Sequence, residues 1–252
     1  MRKQILALAS LVCALVLFVQ PSSAQYQTYP QAPDNEAIRE ATMNPASPYY
    51  YPALFMRYTN GDMNLTLEDF RHLYYGYAFR PTYQPLQAVP ASDRILMILE
   101  ANPNPTETDY RNIIANANEV MRSEPFNPST LNFLTYAYGM LGDTINERIN
   151  AYRLNMVLET IESSGTGLTE SSPWHVLHFS HPLDLYSTKN WLVNKRLVVS
   201  RNVEFIGLLE PQGKIKGYYF DYGRIYWNKP SDYKGKKSNG LQFNGITIKK
   251  RE

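Results

Sequence analysis

The sequence predicts an α+β fold in which a helical half precedes a small, mainly antiparallel β-sheet. Between residues 53 and 164, apolar side chains recur every three to four positions, as they do on the buried face of a helix. From residue 165 onward the apolar pattern shortens to alternation, which is typical of strands. A polar, glycine-bearing segment, SSGTGLTESSP at 163–173, joins the two parts.

Start and stop signals divide the first part into successive helices. Two residue pairs have the spacing of a capping box, Thr66–Asp69 and Thr106–Asp109. Ser92 or Asp93 is expected to cap the helix that lies between those two starts. A further helix should end at Gly142, the residue type that most often follows a helix.

Residues 127–157 resemble a tetratricopeptide-like helical hairpin, with a Leu-Gly-Asp turn and the pair Ala151-Tyr152 in the second helix. Glu147 departs from the pattern, because such hairpins usually place a small alanine near that position. No second copy is found at a 34-residue period. We therefore predict one hairpin and no repeat array.

In the second part, Pro211-Gln212-Gly213 is expected to form a turn, and Asn244-Gly245 within LQFNGITI predicts a β-hairpin. Residues 228–238 read as a basic loop. Five segments have the composition and alternation of strands: WHVLHFS, RLVVS, VEFIGLL, KIKGYYFDY and RIYW.

The amino terminus predicts export. Arg2 and Lys3 precede an apolar run from Ile5 to Val19, and small residues end at Ala24, the pattern of a secretory signal peptide cleaved there. The run is too short for a permanent anchor, and no later segment is apolar enough to cross a membrane. Periplasm or cell surface is the expected location. Cleavage would remove the one cysteine, so no thiol chemistry is expected.

The mature chain is predicted to have three parts: a proline- and tyrosine-rich leader at 25–52, a helical domain at 53–164 and a β-rich domain at 165–252. The leader should hold at most one short helix, near Asn35–Thr42. Residues 25–164 contain nine basic and 16 acidic residues, whereas 165–252 contain 14 basic and seven acidic ones. This asymmetry favours two units with different surfaces. No dense basic run with interleaved aromatics supports nucleic-acid binding.

Three of the four histidines, His175, His178 and His181, follow one another at three-residue intervals. On an extended strand, neighbouring members of this set would face opposite sides, so a shared metal ion is not expected. TNGDMNLTLEDF at 59–70 resembles a calcium-binding loop in composition. It lacks the acidic first residue, the glycine at position six and the glutamate at position twelve that such a loop requires, and we interpret it as a turn that leads into a capped helix.

Tyrosine is unusually frequent, with 20 residues, several of them clustered at 49–51, 74–77 and 218–222. Such clusters suit either a sugar- or peptide-binding surface or the core and its margins. The core is the favoured interpretation.

Three stretches together resemble an uncharacterised family of exported proteins from Bacteroidetes, catalogued as domain of unknown function 4919. They are YYPALFMRYTNGDMNLTLEDFRHLYYGYAF, NPSTLNFLTYAYGMLGD and SGTGLTESSPWHVLHFS. The resemblance covers roughly residues 45–225 and implies a signal-bearing envelope protein of this size and architecture. It supplies no activity and no catalytic residues.

The preferred hypothesis is a non-enzymatic module that binds a protein or peptide in the cell envelope. We predict no catalytic residue, no cofactor and no metal site. The alternative hypothesis is a hydrolase acting on envelope or dietary glycan or peptide, with a site near His175, His178 or His181. A pocket that joins one of these histidines to an acidic residue of the helical half would favour it. The sequence leaves the partner and the oligomeric state open.

Overall fold

The computed structural model describes residues 29–227, together with the backbone of two short strands at 240–243 and 246–249. The predicted signal peptide, the predicted basic loop and the predicted Asn244-Gly245 turn lie outside these residues. No helix in the range 29–227 combines the length and apolarity needed to cross a bilayer. Helices in that range are α1 (Asn35–Met43), α2 (Tyr51–Thr59), α3 (Leu67–Tyr77), α4 (Pro90–Ala101), α5 (Glu107–Ser123), α6 (Pro128–Met140), α7 (Thr144–Glu162), α8 (His181–Thr188) and α9 (Gly223–Trp227).

The strands follow the helical half, which confirms the α+β prediction. They are β1 (Trp174–His175), β2 (Val193–Val198), β3 (Val203–Gln212), β4 (Ile215–Asp221), β5 (Gly240–Phe243) and β6 (Ile246–Lys249). The first four form a sheet in the order β1-β4-β3-β2, in which β1 runs parallel to β4 and the other pairs are antiparallel. The last two pair as the predicted hairpin.

Local signals placed several elements correctly. Both predicted capping boxes are present, one at the start of α3 and one at the start of α5. The predicted helical hairpin consists of α6 and α7, which are joined through Gly142 in the left-handed conformation, at φ 74°. Gly139 accommodates the unexpected Glu147, because a Cβ at Gly139 would lie 3.1 Å from the Glu147 carboxyl.

The short helix predicted near Asn35–Thr42 is confirmed as α1, and α2 follows from Tyr51, with Pro52 in its first turn. Two other local predictions were wrong. The helix expected to start at Ser92 or Asp93 begins at Pro90, because proline fits the first turn, where its missing N–H has no role. RIYW, predicted as a strand, is part of the helix α9.

The predicted strand WHVLHFS was also wrong beyond His175. The chain leaves the sheet after β1, and His181 already belongs to α8. The helical half provides the reason: the Leu177 N–H donates to the Tyr74 hydroxyl at 3.1 Å, and the Tyr83 hydroxyl donates to the Leu177 carbonyl at 2.8 Å. These side chains occupy the backbone groups that a neighbouring strand would have bound.

One hydrophobic cluster joins the helical half to the sheet. It includes Phe70 and Leu73 of α3 together with Ile206 of β3 and Phe220 of β4, all fully buried. A second cluster, with Ile95, Ile113 and Leu134 among its members, lies between α4, α5 and α6. The helical half thus ends with α7 at Glu162, and one core continues from the helices into the sheet.

Candidate functional site

The tyrosines confirm the core interpretation for most of their clusters. Tyr58, Tyr74, Tyr75 and Tyr77 are buried. Their hydroxyls mainly serve the backbone: Tyr58 donates to the Pro125 carbonyl at 2.5 Å and Tyr77 to the Ser123 carbonyl at 2.6 Å. A tyrosine can fill the core and still satisfy a buried carbonyl there, which explains their number without a ligand surface.

The three histidines of the 175–181 segment do not converge. His175 lies beside the sheet, with its Nδ1 atom 3.5 Å from Asp221 Oδ1. His178 and His181 lie together, with ring centroids 5.7 Å apart. The expectation that an extended backbone separates all three was therefore wrong, because the chain is irregular there. Within residues 29–227, no group of three acidic, histidine or cysteine side chains is placed to hold a metal ion.

His178 meets the helical half at Glu124, the residue that follows α5. Its Nε2 atom lies 3.4 Å from Glu124 Oε1, and its Nδ1 atom lies 3.1 Å from Ser180 Oγ. Glu124 is held from its other side, where Asn127 Nδ2 donates to Oε2 at 2.7 Å. These contacts fix the loop that leads into α8 against the end of α5.

His181 is buried against Tyr74 of α3. Since the Tyr74 hydroxyl accepts the Leu177 N–H, its own proton is directed at His181 Nδ1, 2.6 Å away. Burial holds the pKa of His181 well below its usual range, and the nearby His178 adds to the effect. His181 is therefore neutral at physiological pH and acts as a hydrogen-bond acceptor in the core.

Asp184 is the remaining titratable group of this region. Burial raises the pKa of its carboxyl to about 7; a hydrogen bond with Ser180 opposes the rise and Glu124 adds to it. Its Oδ2 atom is shielded from solvent and has no hydrogen-bond partner among the described residues. We call Tyr74, Glu124, His178, Ser180, His181 and Asp184 the histidine cluster.

The cavity beside the histidine cluster is small. Tyr74, Glu124, His178 and His181 line it together with apolar and aromatic residues, and its free volume is about 20 Å³. That volume holds about one water molecule, whereas ligand pockets measure hundreds of cubic ångströms. The cluster thus has the residue types of an active site without room for a substrate.

A second cavity has the opposite character. It is a polar groove of about 200 Å³ between α5 and α7, beside the end of α2. We call it the asparagine groove. It is lined by Thr59, Asn60, Gly61, Asn118, Tyr138, Asn146, Ile149, Asn150 and Arg153.

Several polar groups of the asparagine groove have no partner within the fold. In the part of the chain that the structure describes, no hydrogen bond reaches the side-chain amides of Asn60 and Asn118 or the Tyr138 hydroxyl. Asn146 donates from Nδ2 to Asp143 at 2.7 Å, and its side-chain oxygen Oδ1 has no hydrogen bond among the described residues; its backbone carbonyl is a different atom. These donors and acceptors converge on one groove from α5, α6, α7 and the residue after α2.

The floor of the groove is rigid. Asn150 is buried and donates to the Asn146 carbonyl at 2.8 Å. Arg153 donates to the carbonyls of Tyr58 at 2.5 Å and Thr59 at 3.1 Å, and its guanidinium lies 4.7 Å from the centre of the Tyr58 ring. Its Nε atom is shielded from solvent and unpaired within the described range. The arginine thus anchors α7 to α2 while adding positive charge to the groove.

Tyr138 also lines an adjoining, wider cleft of about 490 Å³. This cleft has an apolar side formed by Ile114 and Leu141, and two charged residues, Arg111 and Asp143, at its margins. Hydrogen bonds donated by Asn146 hold the pKa of Asp143 below its usual range, so this carboxylate is ionised at neutral pH. Groove and cleft together offer a polar section beside a partly apolar one.

Sequence reasoning missed this groove. The one local signal is the spacing of Asn146 and Asn150, which places two amides one turn apart on α7. Asn60 and Asn118 come from elements far away in the chain, and only the packing of α2, α5 and α7 brings them near that pair.

A comparison with known protein families assigns the chain. Residues 36–230 match the family described as Domain of unknown function (DUF4919). The chain belongs to this family. The DUF4919 region contains the histidine cluster and the asparagine groove in full, so both are features of the family domain in this chain. Neither a curated protein nor a solved structure matches the chain.

Proposed function

We propose that this DUF4919 protein is a non-enzymatic interaction module that binds an extended peptide segment of a partner protein in the asparagine groove. The supporting observation is the convergence of unpaired amide and hydroxyl groups from Asn60, Asn118 and Tyr138 on one groove. An asparagine side chain carries one acceptor and two donors, which complement the C=O and N–H groups of an extended main chain. The adjoining apolar side, at Ile114 and Leu141, would take a side chain of the peptide.

The proposed location is the cell envelope, either the periplasm or the cell surface. The signal-peptide pattern of residues 1–24 supports it. A binding module exposed to that environment would rely on its core alone, because its mature chain has no cysteine.

Selection from a library of displayed random peptides on the mature chain, residues 25–252, tests the proposal. Enriched peptides are then measured by fluorescence polarisation on the wild type and on the double variant N60A/N118A. Each lost hydrogen bond is expected to cost about 0.5–1.5 kcal/mol, so binding by the variant should be roughly tenfold weaker or more. Asn132→Ala, on the exposed side of α6, is the matched control and should bind as the wild type does.

Two results would contradict peptide binding in the groove. One is equal affinity of the enriched peptides for the wild type and the double variant. The other is specific capture of glycans on an array, lost in the double variant, when no peptide is enriched. That second result would show that the groove is a binding site for glycans and not for peptides.

The alternative proposal is a hydrolase centred on His178. The observation that favours it is the placement of His178 between Glu124 and Ser180, an order of groups that can activate a hydroxyl. The free volume of about 20 Å³ argues against it, since no acyl or sugar group fits there. Hydrolysis of ester, peptide or glycoside reporters that disappears in both Ser180→Ala and His178→Ala would establish it, provided both variants remain folded.

A further inference from the structure

Strand β2 lies at the edge of the four-stranded sheet, and β3 is its one neighbour among the described strands. The Val199 N–H donates to the Val203 carbonyl, and Leu197 and Lys195 continue the same register against β3. Because antiparallel pairs alternate, the N–H and C=O groups of Arg196 and Val198 point away from β3. These backbone groups form an open hydrogen-bonding edge.

The side chains along this edge are unusually apolar for an exposed strand. Leu192 is 62% exposed, Leu197 45% and Leu209, on the adjoining part of β3, 52%. Val193, Val198 and Val199 are exposed as well. Lys195 and the bulge between Val193 and Lys195 protect the first half of β2, as edge strands usually are protected. Its second half, Leu197 to Val199, is exposed and apolar, as on a surface that pairs with another strand.

The charge around the edge is mainly positive. Lys195 is exposed within β2 and Arg201 lies in the turn to β3. Lys214 and Lys216 lie farther away, in the turn after β3 and in β4, on the other side of β3. None of these four forms an ion pair with an acidic side chain in the described part of the chain. Glu210, near the end of β3, is an exposed acidic residue. The edge is therefore complementary to a negatively charged strand.

We propose that β2 is a second interaction surface, which binds an extended acidic segment of a partner protein by strand addition. Main-chain hydrogen bonds to Arg196 and Val198 would supply the pairing, and apolar side chains of the partner would cover Leu197 and Val199. Lys195 lies on the same face of β2 as these two residues, so it would select an acidic residue on that same face of the partner strand. This surface lies on the sheet and is independent of the asparagine groove in the helices.

Two other segments could pair with the edge, namely β2 of a second copy of the chain and the carboxyl-terminal segment of the same chain. Charge disfavours both. A second copy of the chain paired through its own β2 would bring two Lys195 side chains to one seam, and like charges across paired strands are destabilising. The carboxyl-terminal segment of the same chain is lysine-rich by sequence, with Lys249, Lys250 and Arg251 near its end. An acidic partner strand has no such conflict.

Two blocked octapeptides serve as probes, each with threonine at alternate positions. Their other face carries valine and glutamate in one peptide and valine and lysine in the other. Binding to the mature chain is measured by fluorescence polarisation at low and high salt. The glutamate peptide should bind and should weaken roughly tenfold or more as salt screens the charges, whereas the lysine peptide should not bind. Lys195→Glu should weaken binding of the glutamate peptide roughly fivefold.

Val198→Pro is the decisive variant. Proline removes the outward N–H of residue 198 while the bonds of β2 to β3, made by its neighbours, remain. It should abolish binding, whereas Val198→Ala, which keeps the backbone donor, should bind within roughly threefold of the wild type. A melting curve close to that of the wild type verifies that Val198→Pro is folded.

Three results would overturn the proposal. Equal binding of the two peptides by the wild type, or no binding of either, would contradict recognition of an acidic segment by the basic residues. Binding unchanged in folded Val198→Pro would remove strand addition. A wild-type dimer that becomes a monomer in Val198→Pro, measured by light scattering, would assign the edge to a second copy of the chain. The N60A/N118A variant should bind the glutamate peptide as the wild type does, which separates this surface from the groove.

Discussion

The histidine cluster and the asparagine groove both gather polar side chains beside a cavity, and they differ in what those side chains do. In the histidine cluster, Glu124 lies against His178 and accepts a hydrogen bond from Asn127. His181 is hydrogen-bonded to Tyr74, and the free volume is about 20 Å³. In the groove, Asn60 and Asn118 have no described partner, and the volume is about 200 Å³. Titratable residues that cluster can thus be structural. The groove is the better candidate for binding, because it is larger and its amides are open to solvent and to a ligand.

The largest expected effect concerns the stability role of the histidine cluster. Tyr74→Phe would leave both the Leu177 N–H and His181 Nδ1 without a partner in the core. We expect the free energy of unfolding to fall by about 3 kcal/mol, measured by urea denaturation. Tyr136→Phe removes a hydroxyl from an exposed ring and should change it by less than about 0.5 kcal/mol. Equal losses in the two variants would contradict a structural role for the cluster.

Two glycines with the same backbone conformation test how tightly the groove is built. Gly61 (φ 77°) and Gly142 (φ 74°) both adopt the left-handed region. A Cβ at Gly61 would lie 2.8 Å from Ile149 Cδ1, whereas one at Gly142 would meet nothing within 4 Å. Gly142→Ala should cost about 1 kcal/mol of stability, and Gly61→Ala about 2 kcal/mol, with weaker peptide binding. Equal losses of unfolding free energy in the two variants, measured by thermal or urea unfolding, would show that the Ile149 side chain moves aside without cost.

Asp184→Asn tests the buried carboxyl through pH. The pKa of Asp184 is raised to about 7, so the stability that its neutral form contributes is present below about pH 4 and is lost as pH rises through 7. Asparagine cannot ionise. We therefore expect Asp184→Asn to be more stable than the wild type by about 1–2 kcal/mol at pH 8 and no more stable at pH 4.

Urea unfolding at both pH values measures this difference. The lowered pKa of His181 makes the folded protein less stable as pH falls below the usual pKa of histidine. Both proteins contain His181, so this effect cancels in the comparison. A gain of the same size at pH 4 and pH 8 would show that Asp184 is not a buried charge.

The smallest expected effect on stability is that of N60A/N118A. Neither amide bonds to any other residue in the described range, so unfolding should shift by less than about 0.5 kcal/mol while peptide binding falls. A loss of several kcal/mol would mean that the amides have a structural role, and the contrast with the histidine cluster would disappear.

Local chemistry explains which parts of the fold were predictable. The capping boxes at Thr66 and Thr106 and the turn at Gly142 depend on residues within a few positions of one another. The segment after His175 depends on Tyr74 and Tyr83, about a hundred positions earlier, which take up the backbone groups of Leu177. No short-range pattern contains that information, and alternation alone favoured a strand.

The same limit applies to the sites. The sequence drew attention to His175, His178 and His181 because titratable residues stand out, and the structure separates His175 from the other two. Asn60, Asn118 and Asn146 are ordinary residues in ordinary elements. Their significance appears only once helix packing has placed them around one groove.

Hydrogen–deuterium exchange of the mature chain, with and without a peptide enriched by selection, maps where the ligand binds. We expect added protection in residues 59–61, 111–118 and 138–153, which line the groove and its adjoining cleft, and none in residues 174–184 of the histidine cluster. Protection confined to 174–184 would contradict this expectation and would return the site to the histidines.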